Sequence, residues 1–202
     1  MTLYFSPGAC ALASQIVLRE AGVKFDLVRV DLKTKLTADG ADFKKINPKG
    51  YVPCLQTNSG ETYTEGAVIL QRIADEAPDK NLLPKFGTKE RYSAMEWLNF
   101  ISTELHKGFG AFFNPILTDE VKKSFEEKLQ VRLAYLNTHL KTSAYILGND
   151  FSAVDAYVFN IIRWAGATKI DISQHTAILG LMEKIGARPS ARASIEGEGL
   201  KG

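Results

Sequence analysis

The chain has 202 residues, a hydrophobic fraction of 45%, a charged fraction of 24% and a formal net charge of +2. This balance is typical of a globular protein with one large or two small domains. So small a net charge argues against nucleic-acid binding and against a role at a membrane surface. We find neither an apolar run long enough to span a bilayer nor a signal peptide, so we expect no membrane partner.

Cysteine and histidine do not form the patterns of a disulfide framework or a metal centre. The two cysteines, Cys10 and Cys54, show no disulfide spacing. The histidines, His106, His139 and His175, are far apart in the sequence, so we expect no bound metal. This usage fits a reducing, cytoplasmic setting.

The first twenty residues predict a strand, a turn and a helix. Leu3-Tyr4-Phe5 is apolar and resembles a buried strand, and Ser6-Pro7-Gly8 has the composition of a turn. Residues 11–20 follow with helical spacing. Cys10 is therefore expected at a helix N-terminus, where the helix dipole and unpaired N–H groups favour a thiolate. A buried, inert cysteine is the alternative.

Strands and helices continue to alternate through the first 80 residues. We predict a strand over 25–32, a short helix over 42–46, a strand over 51–57, a return strand over 61–64 and a helix over 65–74. The Val52-Pro53 bond is either an ordinary trans bond at a sheet edge or a cis bond that turns the Val52 backbone outward. Residues 77–84 contain two prolines and no periodicity, which predicts a linker.

From residue 88 onward the sequence predicts helices alone. Their ranges are 88–113, 119–141, 151–164 and 178–185, with a short last helix after Pro189 and a frayed tail at 196–199. Ser152 and Asp155 have the spacing of a capping box. The predicted core positions of the first two helices are Met95, Leu98, Ile101, Leu105, Phe109, Val121, Phe125, Leu129, Leu136 and Leu140.

Polar residues accompany the apolar stripe of the first long helix. In an α-helix Asn99, Thr103 and His106 share one face. That face is either solvated or turned towards a ligand. His106 is either a partly buried structural residue or an acid/base group active near neutral pH.

Four motifs in register resemble the bacterial beta-class glutathione transferases. They are Ser6-Pro7-Gly8-Ala9-Cys10, Asn47-Pro48-Lys49-Gly50-Tyr51-Val52-Pro53, Thr64-Glu65-Gly66-Ala67 and Thr103-Glu104-Leu105-His106-Lys107-Gly108-Phe109. The likeness runs essentially end to end and includes Phe151-Ser152-x-x-Asp155-Ala156. It implies a thioredoxin-like βαβαββα domain over 1–80 with a cis proline, an all-helical domain over 88–202, and a homodimer.

The resemblance also implies a role for each matching residue. Cys10 matches the residue whose sulfur faces the glutathione thiol, and Val52, followed by Pro53, matches the backbone partner of the cysteinyl unit. Glu65 and Gly66 match the γ-glutamyl binders, although Gly66 lacks the side chain of the Ser or Ala expected there. The remaining matches are Lys35, near the glycyl carboxylate, and the helical wall of Asn99, Thr103, Glu104, His106 and Lys107. Cys10 and His106 are the catalytic candidates.

The implied function is transfer of the glutathione thiol, as co-substrate, to small electrophilic compounds. Two alternatives stay open at this point. One is glutathione-dependent disulfide reduction or peroxide removal through a Cys10–glutathione mixed disulfide, and the other is a glutathione-binding protein without turnover.

Overall fold

The structure is a computed structural model that describes residues 1–200. The chain forms two compact units, one made of Met1–Leu83 with the segment from Ala187 onward, the other of Pro84–Gly186. The division falls at the predicted linker. It differs from the predicted ranges at the C-terminal end, because the segment after Ala187 packs with the first unit and not with the helical one.

The first unit is built on a four-stranded mixed sheet. Its elements in order are β1 (Thr2–Phe5), α1 (Ala11–Glu20), β2 (Asp26–Arg29), a 3₁₀ turn (Phe43–Lys45), β3 (Cys54–Gln56), β4 (Thr62–Thr64) and α2 (Gly66–Glu76). The predicted order is confirmed, with the second helix reduced to the 3₁₀ turn. Pro53 immediately precedes β3, where its missing N–H does not interrupt the ladder.

Strand order and register bring three chain segments to one edge of the sheet. The order is β2-β1-β3-β4, with β1 parallel to β2 and β3 antiparallel to both of its neighbours. Tyr4 is opposite Cys54, and Cys54 is opposite Thr64. The end of β1, the start of β3 and the end of β4 therefore lie side by side. The loops that leave this edge carry Cys10, Val52 and Glu65.

All regular elements of the second unit are helical within its described residues. They are α3 (Lys89–Phe100), a π-helical segment (Ile101–His106), α4 (Lys107–Ala111), α5 (Asp119–Leu140), α6 (Ala153–Ile162), α7 (Trp164–Thr168) and α8 (Thr176–Gly186). Every residue of α6 is buried, so α6 forms the centre of this unit. The capping box predicted for Ser152 and Asp155 is present at its N-terminus.

The predicted core of this unit is largely confirmed. Leu98, Ile101, Leu105 and Phe109 are buried, as are the three leucines predicted on α5. Val121 and Phe125 are exceptions, each 39% exposed, because burial along α5 begins only at Leu129. Met95 on α3 is only half-buried.

The C-terminal segment is ordered, so the prediction of a frayed tail is wrong. Helix α9 (Pro189–Gly197) packs against α1, and Glu198 beyond it is buried. The Glu198 carboxylate accepts hydrogen bonds from the Gly8 N–H, at 2.8 Å, and from the Gln15 side-chain amide. The tail thereby contacts the turn that leads to Cys10.

Candidate functional site

Cys10 lies where β1 passes into α1, as its position in the sequence predicts. It is the N-cap residue of α1 and is partly exposed. Its Sγ donates a hydrogen bond to the Val52 carbonyl oxygen at 3.5 Å. The thiol therefore faces both the first turn of a helix and the loop before β3.

Cys54 provides a contrast with Cys10. It is fully buried in a cluster with Tyr4, Val30, Phe43 and Val52. Burial raises the pKa of the Cys54 thiol to about 11, so this cysteine remains a protonated, inert thiol at neutral pH.

The loop before β3 carries Val52, whose carbonyl oxygen accepts the hydrogen bond from Cys10. The Val52-Pro53 bond is cis, which confirms the cis alternative and excludes the trans one. Asn47 holds the preceding turn, because its amide donates to the Tyr51 carbonyl at 2.7 Å and its Oδ1 accepts from the Lys49 N–H at 3.1 Å.

Glu65 lies at the N-terminus of α2 in a backbone conformation that L residues rarely adopt, with φ 71° and ψ 116°. Its Oε1 accepts hydrogen bonds from Lys49 Nζ and from the Tyr51 hydroxyl, each at 2.7 Å. The hydrogen bond to Glu65 raises the pKa of Lys49 and that of Tyr51. Gly66 is the first residue of α2, where helical N–H groups lack intrahelical partners.

The sequence alone does not predict the contacts of Lys49 and Tyr51 with Glu65. Both belong to the Asn47–Pro53 motif, and the position of Glu65 beside that motif follows only from the pairing of β3 with β4. Lys35, the predicted group near the glycyl carboxylate, lies in the same unit with φ 62° and its stem beside Gly50.

In the helical unit, three of the predicted wall residues line one groove. Asn99, Thr103 and Glu104 border a cavity of about 610 Å³ between α3 and α5. The other lining residues are Glu96, Trp97, Phe100, Val131, Arg132 and Tyr135, none of which was predicted. Glu104 accepts a hydrogen bond from Arg132 Nε at 2.7 Å. This ion pair offsets the negative charge of Glu104 in the groove.

His106 does not share that groove, so the prediction of one common face with Asn99 and Thr103 is wrong. Its Nδ1 is hydrogen-bonded to the Tyr157 hydroxyl at 2.8 Å, and its ring meets Trp164 edge to face with centroids 4.9 Å apart. The reason is the π-helical segment, which has more residues per turn than an α-helix and rotates His106 away from Asn99. Lys107 follows it as the exposed first residue of α4.

Within residues 1–200, no helix has the length and apolar character needed to cross a bilayer. In the same range, no three His, Cys, Asp or Glu side chains lie close enough together to hold a metal ion.

Two family models match this chain. The model of the glutathione S-transferase N-terminal domain matches residues 8–76, and that of the C-terminal domain matches residues 100–189. The chain therefore belongs to the glutathione S-transferase family. It is 43% identical, over the full length of both chains, to glutathione S-transferase GstA of Escherichia coli O157:H7.

Solved structures with the same fold include bacterial transferases. A sphingomonad glutathione S-transferase complexed with glutathione is 40% identical, with a TM-score of 0.95 and full coverage of both chains. A beta-class transferase of Sphingomonas chungbukensis is 41% identical, again with a TM-score of 0.95 and full coverage of both chains. The resemblance to the bacterial beta class is thus confirmed.

Proposed function

We propose that this transferase joins the sulfur of glutathione to small electrophilic compounds. The observation that carries the proposal is the convergence of Cys10, Val52 and Glu65 at one edge of the sheet. A thiol at a helix N-terminus and the backbone before a cis proline match the cysteinyl unit of an extended γ-glutamyl tripeptide, and a carboxylate at a second helix N-terminus matches its γ-glutamyl unit.

Each unit of glutathione has a proposed partner in the first unit of the protein. The Val52 backbone, presented by Pro53, pairs with the cysteinyl unit, whose sulfur lies near Cys10. Glu65 and Gly66 bind the γ-glutamyl group, where a carboxylate attracts the ammonium and a helix N-terminus attracts the carboxylate. Lys35 is proposed to bind the glycyl carboxylate. The glutathione complex of the sphingomonad relative supports glutathione as the co-substrate.

The helical unit is proposed to supply the wall beside the sulfur and the electrophile. The candidate residues of this wall are Asn99, Thr103, Glu104, His106 and Lys107. His106 Nδ1 is hydrogen-bonded to the Tyr157 hydroxyl. When that hydroxyl is the donor, the ring proton lies on Nε2, the nitrogen that donates in the proposed role.

The chemical requirement is a raised thiolate fraction, since a free thiol is mostly protonated at neutral pH. The N-terminus of α1 and His106 are proposed to stabilise the glutathione thiolate, whose proton goes to solvent. The thiolate then attacks the carbon that carries a halide, a C–S bond forms, and the halide leaves with the electron pair of the C–halide bond. Cys10 is a poor base for this step, and as a thiolate it would repel a second thiolate.

The partly exposed Cys10 thiol favours a second activity, glutathione-dependent disulfide reduction. In this reaction the Cys10 thiolate attacks the glutathione sulfur of a glutathionylated thiol, forms a mixed disulfide and releases the other thiolate. A second glutathione thiolate then attacks the mixed disulfide, which releases oxidised glutathione and restores Cys10.

Steady-state assays with an aryl halide, a glutathionylated thiol and a hydroperoxide test the proposal. We expect glutathione-dependent turnover of the aryl halide. A purified, folded protein that turns over only the disulfide would support the oxidoreductase alternative, and one that binds glutathione without any turnover would support a binding role.

We also propose that the chain is a cytoplasmic homodimer in which part of each helical wall serves the neighbouring subunit. An isologous dimer presents the same surfaces twice, so one wall can serve the partner's glutathione site. Sedimentation equilibrium at assay concentration is expected to give twice the mass of the chain. A monomer would contradict this and would remove the basis for the shared roles of Asn99 and Glu104.

A further inference from the structure

Two aromatic residues of the helical unit hold the ring of His106. Its Nδ1 is hydrogen-bonded to the Tyr157 hydroxyl at 2.8 Å, and the two rings are perpendicular, with centroids 5.9 Å apart. Trp164 meets the same ring edge to face at 4.9 Å. Ring contacts alone do not distinguish an imidazole from the same ring turned over, because its nitrogen and carbon atoms have similar size. The hydrogen bond makes this distinction, since only one orientation places Nδ1 at the hydroxyl.

Tyr157 is a firmly packed partner for this hydrogen bond. It lies within α6, every residue of which is buried, and is itself only 1% exposed. The capping box of Ser152 and Asp155 closes the N-terminus of α6 one turn before it. Helix α6 also packs against the π-helical segment that carries His106. A side chain locked in this way orients its partner more precisely than an exposed side chain does.

The basicity of the two groups favours one direction of the hydrogen bond. A neutral imidazole has one N–H and one nitrogen without a proton, whereas a phenol hydroxyl can donate or accept. The unprotonated nitrogen, whose conjugate acid has a pKa of about 6.5, is a much stronger base than a phenol oxygen. An O–H···N bond from Tyr157 to Nδ1 is therefore more stable than an N–H···O bond in the opposite direction.

We propose that Tyr157 is a positioning residue, which donates to His106 Nδ1 and so holds the ring as the tautomer with its proton on Nε2. This inference rests on the proposed function, because it concerns the residue assigned there to the glutathione thiolate. A thiolate only accepts hydrogen bonds, so a ring nitrogen must carry a proton to stabilise it. A ring with its proton on Nδ1 would present the lone pair of Nε2 instead.

The first measurement is the tautomer of His106 in the absence of glutathione. A long-range ¹H–¹⁵N spectrum of histidine-labelled protein at about pH 8.5, where histidine is neutral, reports which ring nitrogen is protonated. The His106 signals are those missing from His106→Ala. We expect the wild type to carry the proton on Nε2. Tyr157→Phe, which keeps the ring and removes the hydroxyl, should give a mixture of both tautomers.

Tyr145→Phe is the matched control for this measurement. It also removes one hydroxyl from the helical unit, from a half-buried ring that packs edge to face on Phe151. The His106 signals and the rate of conjugation should be those of the wild type in this variant.

The second measurement shows whether Tyr157 acts through His106. We expect Tyr157→Phe to lower kcat for an aryl halide about fivefold, because one hydrogen bond that orients His106 is lost, and to leave the KM for glutathione unchanged. The same substitution in the His106→Ala background should have no further effect, since no imidazole remains to be oriented.

Three results would overturn the assignment of Tyr157. They are a proton on Nδ1 of wild-type His106, an unchanged tautomer in Tyr157→Phe, and a further loss of kcat when Tyr157→Phe is added to His106→Ala. The tautomer is measured without substrate, so its outcome does not depend on turnover. A wild type that carries the proton on Nε2 and does not conjugate would refute the proposed reaction alone, and one that conjugates with the proton on Nδ1 would refute the assignment of Tyr157 alone.

Discussion

Glu65 combines two properties that point to a binding role. Its left-handed backbone conformation is unfavourable for a non-glycine residue by roughly 1–3 kcal/mol, and such residues cluster at ligand sites. Its carboxylate is aimed by two hydrogen-bond donors, Lys49 and Tyr51. A carboxylate fixed in this way is suited to bind the ammonium group of the γ-glutamyl unit.

We therefore expect Glu65→Gln to raise the KM for glutathione by roughly tenfold, which corresponds to the loss of about 1.4 kcal/mol of charge-assisted binding. Saturating glutathione should restore most of kcat, since the change removes binding and not chemistry. Initial rates over a glutathione series measure this. Glu183→Gln, on the exposed face of α8, is the control, and an unchanged KM in Glu65→Gln would remove Glu65 from the site.

Some residues of the site were predictable and others were not, for a physical reason. The places of Cys10 and Pro53 can be predicted from a few neighbouring residues, because one is a thiol at a helix start and the other forms an X-Pro bond. The partners of Glu65 and His106 come from other segments. Lys49, Tyr157 and Trp164 have ordinary local sequences, so their roles follow only from tertiary packing.

At the scale of elements, the N-terminus of α6 depends on a buried carboxylate. Asp155 accepts hydrogen bonds from the Ser152 N–H at 2.8 Å, the Ser152 hydroxyl at 2.6 Å and the Ile146 N–H at 2.8 Å. Burial raises the pKa of Asp155, while these three hydrogen bonds oppose that rise. The cap thus joins α6 to the loop before it.

We expect Ser152→Ala to lower the free energy of unfolding by about 1 kcal/mol, because it removes a hydroxyl from this cap. Urea denaturation at neutral pH gives the value. Ser93→Ala, on the exposed side of α3, should change stability by a few tenths of a kcal/mol at most. Equal midpoints for Ser152→Ala and the wild type would show that the hydroxyl does not stabilise α6.

Glu20, the last residue of α1, links this helix to α9. The Glu20 carboxylate accepts from Arg188 Nε at 2.8 Å, from Arg188 Nη2 at 2.9 Å and from the Ser190 hydroxyl. Burial raises the pKa of Glu20, but the hydrogen bonds and the charge of Arg188 outweigh burial and hold it below its ordinary value of 4.5. A lowered pKa in the folded state stabilises the protein above pH 4.5, and this stabilisation is lost as the pH falls through the folded-state pKa.

We expect Glu20→Gln to destabilise the protein by about 1–2 kcal/mol at pH 7. The difference from the wild type should shrink as the pH is lowered below 4.5. Urea midpoints at a series of pH values measure both effects, with Glu127→Gln on the surface of α5 as the control. A difference that stays constant with pH would mean that the charge of Glu20 is not what joins the helices.

The π-helical segment shows the limit of periodicity as a predictor of elements. The apolar residues Leu98, Ile101, Leu105 and Phe109 are consistent with one continuous α-helix, and all four are buried. The four apolar residues stay buried across the π-helical segment, whereas His106 contacts Tyr157 and Trp164 and does not line the groove. The helix was therefore predictable, and the direction of His106 was not.

At the scale of the whole molecule, the order of the elements follows from hydrophobic patterns and turns, whereas the place of the C-terminal segment does not. Glu196-Gly197-Glu198-Gly199 has the composition of a frayed tail. Its Glu198 is buried because the Gly8 N–H and Gln15, nearly two hundred residues earlier, satisfy its carboxylate. Such a contact has no signature in the local sequence.

We propose a division of labour in which His106 stabilises the glutathione thiolate, and Cys10 serves disulfide exchange and not conjugation. The most direct measurement is kcat/KM for an aryl halide in Cys10→Ala and His106→Ala, with folding of each variant checked by circular dichroism. We predict that Cys10→Ala keeps appreciable conjugation but loses disulfide reductase activity. His106→Ala should lose roughly ten- to a hundredfold in conjugation, since a charge-stabilising hydrogen bond contributes about 1.5–3 kcal/mol. Conjugation abolished in Cys10→Ala and intact in His106→Ala would contradict this division of labour, because the cysteine itself would then activate glutathione.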